Sequence, residues 1–151
     1  MSLPGKTIKV VKSSIVPYSA EKMYDLVNDI EGYPTFLPWC SKAKILAQAG
    51  NGLVALMEIA KGPFRETLTT RNTLTPSRKI HLSLVSGPFT MLEGDWHFTP
   101  KPGSPDVCQV SLNLEFAFSA GLIGNLMSPV FQGITHRFVE AFSQRAQVLY
   151  G

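Results

Sequence analysis

An amphipathic segment at the end of the chain, residues 128–150, limits the fold more than any other part of the sequence. Its apolar side chains return at steps of three and four residues, at Met127, Phe131, Ile134, Phe138 and Phe142. This spacing is typical of a helix with a broad apolar face. Ser128 is the predicted N-cap, and Pro129 occupies the first helical position, where proline is well tolerated. Such a helix, roughly 33 Å long, needs a concave apolar surface to cover.

Seven segments of alternating apolar and polar residues predict that surface. The clearest is 108–118, where Cys108, Val110 and Leu112 alternate with polar residues. Short turns such as Gly50-Asn51-Gly52 join six of the segments directly, which makes the sheet antiparallel. The predicted strands cover residues 6–16, 42–49, 53–62, 64–74, 80–84, 92–98 and 108–118.

Two short helices are predicted between the first and second strands. Ser19 is the expected N-cap of the first. Residues 32–40 contain two prolines but are too apolar for an exposed loop, which favours a short packed helix. The element order predicts one α+β domain over residues 1–151, in which a seven-stranded curved antiparallel sheet wraps around a long C-terminal helix. Residues 1–5 are expected to be disordered or added for expression.

Composition excludes several classes of protein. Hydrophobic residues make up 44% of the chain and charged residues 17%, which argues against disorder. The net charge of +3 is compatible with an RNA or acidic-lipid partner but too small to predict a dedicated DNA-binding domain. Cys40 and Cys108 have no metal or redox spacing and are interpreted as reduced thiols of a cytoplasmic protein. Neither a signal peptide nor a membrane span is visible.

No pattern in the sequence predicts catalysis. His81 and His97 fall on the polar face of their strands and His136 on the wet side of the last helix, which indicates three solvated histidines. Ser19 and Lys22 match a short serine-acylase pattern, but Ser19 is better explained as a helix cap. Metal-binding and nucleotide-binding motifs are absent from the sequence. We therefore predict a non-enzymatic protein without a metal or a catalytic cofactor.

Glu66 and Asn72 are the candidate polar anchors for a ligand. Glu66 alternates with Phe64 and Leu68, and Asn72 falls on the same side of the strand. If this register holds, a carboxylate points inward and needs a partner. A strand bulge that turns Glu66 outward is the alternative, and it is the one we favour.

Large apolar side chains are more numerous than a minimal core needs. Each alone is more often core than pocket, but a long helix over a curved sheet is difficult to fill completely, and ligand pockets are typically apolar clefts. The predicted ligand-binding residues are Tyr33, Phe36, Leu37, Trp39, Phe89, Trp96, Phe116, Phe118, Met127, Phe131, Ile134 and Phe138.

Two surface features have alternative explanations. Residues 120–127 are apolar and interrupted by glycines, which fits either an extra packed helical turn or a mobile gate that contacts a membrane surface. Basic residues cluster at two places, which fits either solvated sheet edges or a patch for ribosomal RNA. These residues are Lys6, Lys9 and Lys12 on the first strand, and Arg65, Arg71, Arg78 and Lys79 around one hairpin.

Several stretches resemble a known family. Residues 16–40, which include Gly32-Tyr33-Pro34-Thr35-Phe36-Leu37-Pro38-Trp39-Cys40, are similar to the opening of the bacterial RatA proteins, relatives of the mitochondrial coenzyme Q-binding proteins. These proteins are often labelled oligoketide cyclase-like and belong to the START-like, or SRPBCC, superfamily. Pro129 departs from the family's last helix. Supporting stretches are residues 69–72, 87–89, 94–100 and 138–150.

The resemblance implies a START-like helix-grip fold, which agrees with the predicted element order. It also implies non-catalytic binding of ubiquinone or a related polyprenyl lipid between sheet and helix, in support of respiratory electron transport. A cytoplasmic protein of this kind would be peripheral at the bacterial inner membrane. The alternative is a RatA-like toxin that binds the large ribosomal subunit and hinders subunit joining. A polyketide cyclase or aromatase is the third hypothesis, and it rests on fold analogy.

Overall fold

One curved antiparallel sheet and the helices on its concave side make up the fold. The computed structural model describes residues 7–151, with only the backbone described at Ile123. The expectation for residues 1–5 lies outside the described residues. The strands are β1 Ile8–Val16, β2 Cys40–Ala49, β3 Gly52–Lys61, β4 Phe64–Thr75, β5 Lys79–Ser86, β6 Phe89–Lys101 and β7 Ser104–Phe118. The helices are α1 Ala20–Asn28, a 3-10 helix Ile30–Thr35, α2 Leu122–His136 and α3 Phe138–Tyr150.

The sheet has the order β1-β7-β6-β5-β4-β3-β2, so every sequential hairpin from β2 to β7 is a neighbouring pair. This confirms the predicted seven-stranded antiparallel sheet. The alternating apolar side chains of each strand face the core on the concave side. On β7 these include Cys108, Val110, Leu112 and Phe116, which have no exposed surface. The opposite, convex face carries the polar residues, because side chains alternate across a strand.

The first helix begins where the sequence predicts. The Ser19 hydroxyl accepts a hydrogen bond from the backbone N–H of Lys22 at 3.1 Å, which confirms the N-cap. Met23 and Val27 are buried against β6 and β7. The following 3-10 helix contains Pro34 and packs on β2.

The terminal helical cover is confirmed, but its predicted beginning at Ser128 is wrong. Helix α2 begins at Leu122, and Pro129 lies inside it. Gly121 has a φ of 133°, and a Cβ at Gly124 would lie 2.0 Å from the carbonyl oxygen of Ser119. These two glycines let the helix start directly on the end of β7.

The cover is also divided into two helices at Arg137. The N–H of Arg137 donates to the Ile134 carbonyl at 3.1 Å, a tighter turn than the α-helix makes. The Thr135 hydroxyl donates to the Phe131 carbonyl oxygen at 3.0 Å and fixes the last turn of α2. The break places Phe138 at the first position of α3, above the middle of the sheet.

Residues 122–127 form the first turns of α2, which agrees with the packed-turn alternative for the linker. Met127 is 1% exposed, whereas Leu122 is 74% and Leu126 is 43% exposed. The segment is therefore anchored on one side and apolar toward solvent on the other. Within residues 7–151 no helix has the length and apolar content that crossing a membrane requires.

Candidate ligand-binding cavity

A small cavity lies between the concave sheet face and the helical cover. Its volume is about 50 Å³. The 3-10 helix and the residues after it supply one wall, strands β3 to β7 supply the floor, and α2 and α3 supply the roof. The enclosed position follows from the curl of the sheet, because the helices close over the middle of the concave face.

Six of the fourteen predicted site residues line this cavity, and the other eight lie elsewhere. The residues that line it are Tyr33, Trp39, Asn72, Trp96, Phe131 and Phe138. The predicted residues that do not line it are Phe36, Leu37, Glu66, Phe89, Phe116, Phe118, Met127 and Ile134.

One end of the concave face is filled by aromatic packing, in which Phe89, Phe116 and Phe118 contact Phe131. The ring centroids of Phe89 and Phe118 are 4.3 Å apart, and those of Phe116 and Phe131 are 4.7 Å apart. Met127 is buried in the same core. Contacts this close leave no room for a ligand, so the expectation that Phe89, Phe116, Phe118 and Met127 line the cavity is corrected.

Ten further residues line the cavity and were not predicted. Thr70 has the same alternation as Asn72, and Phe142 follows Phe138 by one helical turn, so both could have been found from periodicity. The aliphatic residues carry no comparable signal, because a core position and a cavity wall have the same pattern. The ten are Ile30, Ala55, Met57, Ile59, Leu68, Thr70, Leu82, Leu92, Leu114 and Phe142.

A polar pair stands in this apolar wall. The Thr70 hydroxyl donates to Oδ1 of Asn72 at 2.8 Å, and both residues are buried. The hydrogen bonds found within residues 7–151 include none from the Asn72 amide nitrogen. This N–H donor, held in place by Thr70, is therefore available to an acceptor atom in the cavity.

Tyr33 has its polar end committed elsewhere. Its hydroxyl donates to the Val27 carbonyl oxygen. Burial, followed by the nearby Cys40 and Asp29, raises the pKa of Tyr33 far above its usual value of 10.0. Tyr33 is thus a neutral structural residue, and it is the only titratable side chain among the described residues of the wall.

The favoured interpretation of Glu66 as an outward bulge is wrong. The pairing of β3 with β4 runs without a shift from Gly52 opposite Thr73 to Lys61 opposite Phe64. Glu66 lies opposite the buried Ile59 and therefore shares the concave face. It is only half-buried and does not line the cavity, because it lies nearer the start of β4 than Leu68. Its carboxylate can therefore stay hydrated.

Trp39 separates the cavity from two larger outer grooves. A groove of about 510 Å³ lies between the residues that follow the 3-10 helix and α3, and contains Phe36 and Leu37. Another of about 380 Å³ lies beside α2 and contains Ile134. Trp39 lines all three spaces, and its ring stacks on Phe138 with centroids 5.2 Å apart. Trp39 therefore lies between the cavity and both grooves.

The histidines lie outside the cavity. On the convex face, Nδ1 of His81 is 2.8 Å from Oδ1 of Asp95, and Nε2 is 3.4 Å from Glu93. His81 is half-buried among these partners, not simply solvated, while His136 is exposed. Across residues 7–151, no group of three or more His, Cys, Asp or Glu side chains is placed to hold a metal ion.

Solved structures define the class of fold. A START superfamily protein from Mycobacterium smegmatis is 21% identical, with a TM-score of 0.78 over 93% of this chain and 98% of that one. The Zhui aromatase/cyclase from Streptomyces sp. R1128 is 18% identical, with a TM-score of 0.80 over 94% of both chains. The fold is therefore that of the START-like proteins, as the resemblance implied.

The family follows from the sequence comparisons. The family described as "Polyketide cyclase / dehydrase and lipid transport" matches residues 16–143, and the chain belongs to it. A protein named ribosome association toxin RatA from Vibrio cholerae is 43% identical over 95% of this chain and 98% of its own length. A coenzyme Q-binding protein, COQ10 homolog B from Xenopus laevis mitochondria, is 30% identical over 99% of this chain and 62% of its own length. The resemblance to the RatA and coenzyme Q-binding proteins is confirmed.

Proposed function

We propose that the protein binds an apolar ligand with a carbonyl group, ubiquinone or a related polyprenyl lipid, in the cavity between sheet and helices. The observation that carries this proposal is the buried Asn72 amide, oriented by Thr70 in an otherwise apolar wall. A fixed N–H donor suits a quinone carbonyl oxygen, and the surrounding aromatic and aliphatic side chains suit a quinone ring. The name of the Xenopus relative supports the same ligand class.

The cavity must enlarge before such a ligand can enter. Its volume of about 50 Å³ is well below the roughly 150 Å³ of a cavity that accepts benzene, and ligand pockets usually exceed about 300 Å³. Displacement of Trp39 would add the outer grooves of about 510 and 380 Å³. We propose that the ring occupies the cavity while the polyprenyl chain lies in a groove beside α3.

Extraction and titration test this proposal. The purified protein is extracted with organic solvent for mass spectrometry, and the empty protein is titrated with a short-chain ubiquinone. We expect a bound quinone or a saturable titration. The variant Asn72→Leu removes the donor but keeps the side-chain size. It should weaken binding of the quinone and leave binding of an aromatic hydrocarbon unchanged. Protein that is always isolated empty and does not bind added ubiquinone would overturn the proposal.

Catalysis is not part of the proposed function. Among the described residues of the cavity wall no acid–base pair occurs, because the one titratable group there, Tyr33, is neutral and hydrogen-bonded to the backbone. The likeness to the aromatase/cyclase is one of fold at 18% identity. We propose a cytoplasmic protein that visits the inner membrane through residues 120–127, where Leu122 and Leu126 are exposed.

Ribosome association is a second candidate function. The observation that favours it is the 43% identity to the RatA protein of Vibrio cholerae along nearly the whole of both chains. We propose that this chain binds the large ribosomal subunit and hinders subunit joining. Sedimentation through a sucrose gradient at physiological salt tests this. Absence of the protein from the large-subunit fractions would contradict it, and binding only at low salt would indicate a nonspecific contact.

A further inference from the structure

We propose that the convex face of strands β2, β3 and β4 binds the phosphate backbone of ribosomal RNA. This inference rests on ribosome association, the second candidate function, and names the surface that would perform it. We call this surface the basic face. It consists of the outward side chains Lys42 and Lys44 of β2, Glu58 of β3, and Arg65 and Arg71 of β4.

Strand register assigns these residues to the convex side. Ala55, Met57 and Ile59 of β3 line the cavity on the concave side. Their alternating neighbours Val54, Leu56, Glu58 and Ala60 therefore face outward. Directly paired residues share a face of an antiparallel sheet. The outward pairs are Lys42 with Glu58, Lys44 with Leu56, Arg71 with Val54, and Arg65 with Ala60.

Charge on the basic face is unbalanced. All four basic residues are exposed. The single carboxylate, Glu58, is 3.2 Å from Nη1 of Arg65 and accepts a hydrogen bond from Ser41 at 2.6 Å. Within residues 7–151, the ion pairs include none to Lys42, Lys44 or Arg71. Three cations, two on β2 and one on β4, thus face solvent outside these ion pairs, and Lys42 lies directly opposite Glu58.

The neighbouring half of the convex face carries paired charges instead. Glu93 and Asp95 of β6 and Glu115 of β7 lie there, paired with His81, Lys79 and Lys9. The carboxylates of β6 and β7 are thus paired with basic side chains, whereas three cations of β2 and β4 are in no such pair. Lys42 and Lys44 lie on the edge strand β2, but edge protection does not explain Arg65 and Arg71, because β4 lies inside the sheet.

Chemistry favours RNA phosphate as the occupant. Lysine and arginine supply charge, and the exposed hydroxyls of Thr67 and Thr73 on β4 are further donors for phosphate oxygens. A ribosome presents dense phosphate surfaces, and three released counterions predict a slope of log affinity against log salt of roughly −2 to −3. The face lacks exposed aromatic side chains on β2–β4 for base stacking, so we expect little sequence preference.

The test uses charge reversal on the full chain. Lys44→Glu combined with Arg71→Glu changes two unpaired cations of the basic face. Lys12→Glu combined with Lys101→Glu is the matched control, because both lysines are exposed and lie on other surfaces. Lys44→Gln with Arg71→Gln separates lost attraction from added repulsion. Thermal denaturation verifies that each variant is folded. Binding is measured by sedimentation with purified large ribosomal subunits and by anisotropy of a labelled 20-nucleotide RNA.

The proposal expects at least tenfold weaker RNA binding for both basic-face variants at 150 mM salt, and a salt slope that is smaller by about 1.4 to 1.8 in magnitude. The control variant should bind nearly as the unmodified protein does. Equal losses in the control and basic-face variants would overturn the proposal. Unmodified protein and basic-face variants that sediment alike with large subunits would also overturn it, while ribosome association would stand. If the unmodified protein fails to sediment with subunits, the second candidate function itself fails.

Discussion

Truncation of Trp39 tests how a ligand reaches the cavity. Trp39→Ala removes the indole that separates the cavity from both outer grooves. It also removes the stacking of this indole on Phe138, whose ring centroid lies 5.2 Å away. Such aromatic pairs contribute about 0.5–1.5 kcal/mol. If this contact holds the cavity closed, its loss should raise the association rate constant of a short-chain ubiquinone about two- to twelvefold.

The chain provides its own probe for this measurement. It contains two tryptophans, so Trp96 in the cavity wall is the only fluorophore of this type left in Trp39→Ala. Quenching of Trp96 by the quinone is followed by stopped flow. Trp39 is half-buried, so we expect the free energy of unfolding to fall by about 1–3 kcal/mol. That loss lowers the Tm by about 2–12 °C and leaves the protein folded at 25 °C.

A control variant separates access from general loosening. Tyr18→Ala removes a half-buried ring whose centroid lies 5.8 Å from that of Tyr150, and Tyr18 does not line the cavity. It should lower the Tm without changing the association rate, which is followed through both tryptophans. An unchanged or slower rate in Trp39→Ala would refute the account of Trp39 as the barrier. A faster association rate in both variants would indicate that the quinone enters through a general loosening of the fold.

Three further predictions concern polar groups. Asn72→Leu should weaken ubiquinone binding about tenfold in calorimetric titration, because one buried hydrogen bond is lost, and leave binding of an aromatic hydrocarbon unchanged. Burial opposes ionisation of Asp95, but the hydrogen bond from His81 and the charge of Lys79 outweigh it and lower the pKa of Asp95 below 3.8. The ionised Asp95 therefore stabilises the fold above pH 4, and this contribution of less than about 1 kcal/mol is lost as the pH falls below 4. In chemical denaturation, the free energy of unfolding of Asp95→Asn should depend less on pH in that range. Burial raises the pKa of both cysteine thiols to about 11, so a thiol reagent at pH 8 should label neither until the protein unfolds.

Most of the fold could be predicted because its elements bury one face each. The alternation of Cys108, Val110 and Leu112 fixes which side of β7 enters the core, and the structure buries all three. Ser19 caps α1 through a contact within four residues, so the local sequence is sufficient. Short turns between strands fix the antiparallel order.

The beginning of the last helix could not be predicted from local signals. Ser128 and Pro129 are a strong start signal, but tertiary packing outweighs them. Gly124 allows the backbone of α2 to lie against Ser119, where any side chain would clash. That close approach is a contact between the helix and the end of β7, and nothing in the spacing of apolar residues reveals it.

The candidate site was predicted only in part, because an apolar residue can fill a core or enclose a cavity. Phe89 and Phe118 were predicted to line the cavity, yet they pack with ring centroids 4.3 Å apart and do not line it. Glu66 was assigned to the outside because burial of a carboxylate is costly. In the structure it remains half-exposed at the end of the concave face, so that cost does not arise.

The hydrogen bond between Asn72 and the ligand is the central claim, and infrared spectroscopy of bound, carbonyl-labelled ubiquinone tests it most directly. A carbonyl that accepts a hydrogen bond absorbs at a lower frequency than one in an apolar site. The unmodified protein should shift the band of one carbonyl to lower frequency, and Asn72→Leu should return it to the value of the free quinone in hydrocarbon. Bound quinone whose carbonyl bands are the same in both proteins would contradict the account.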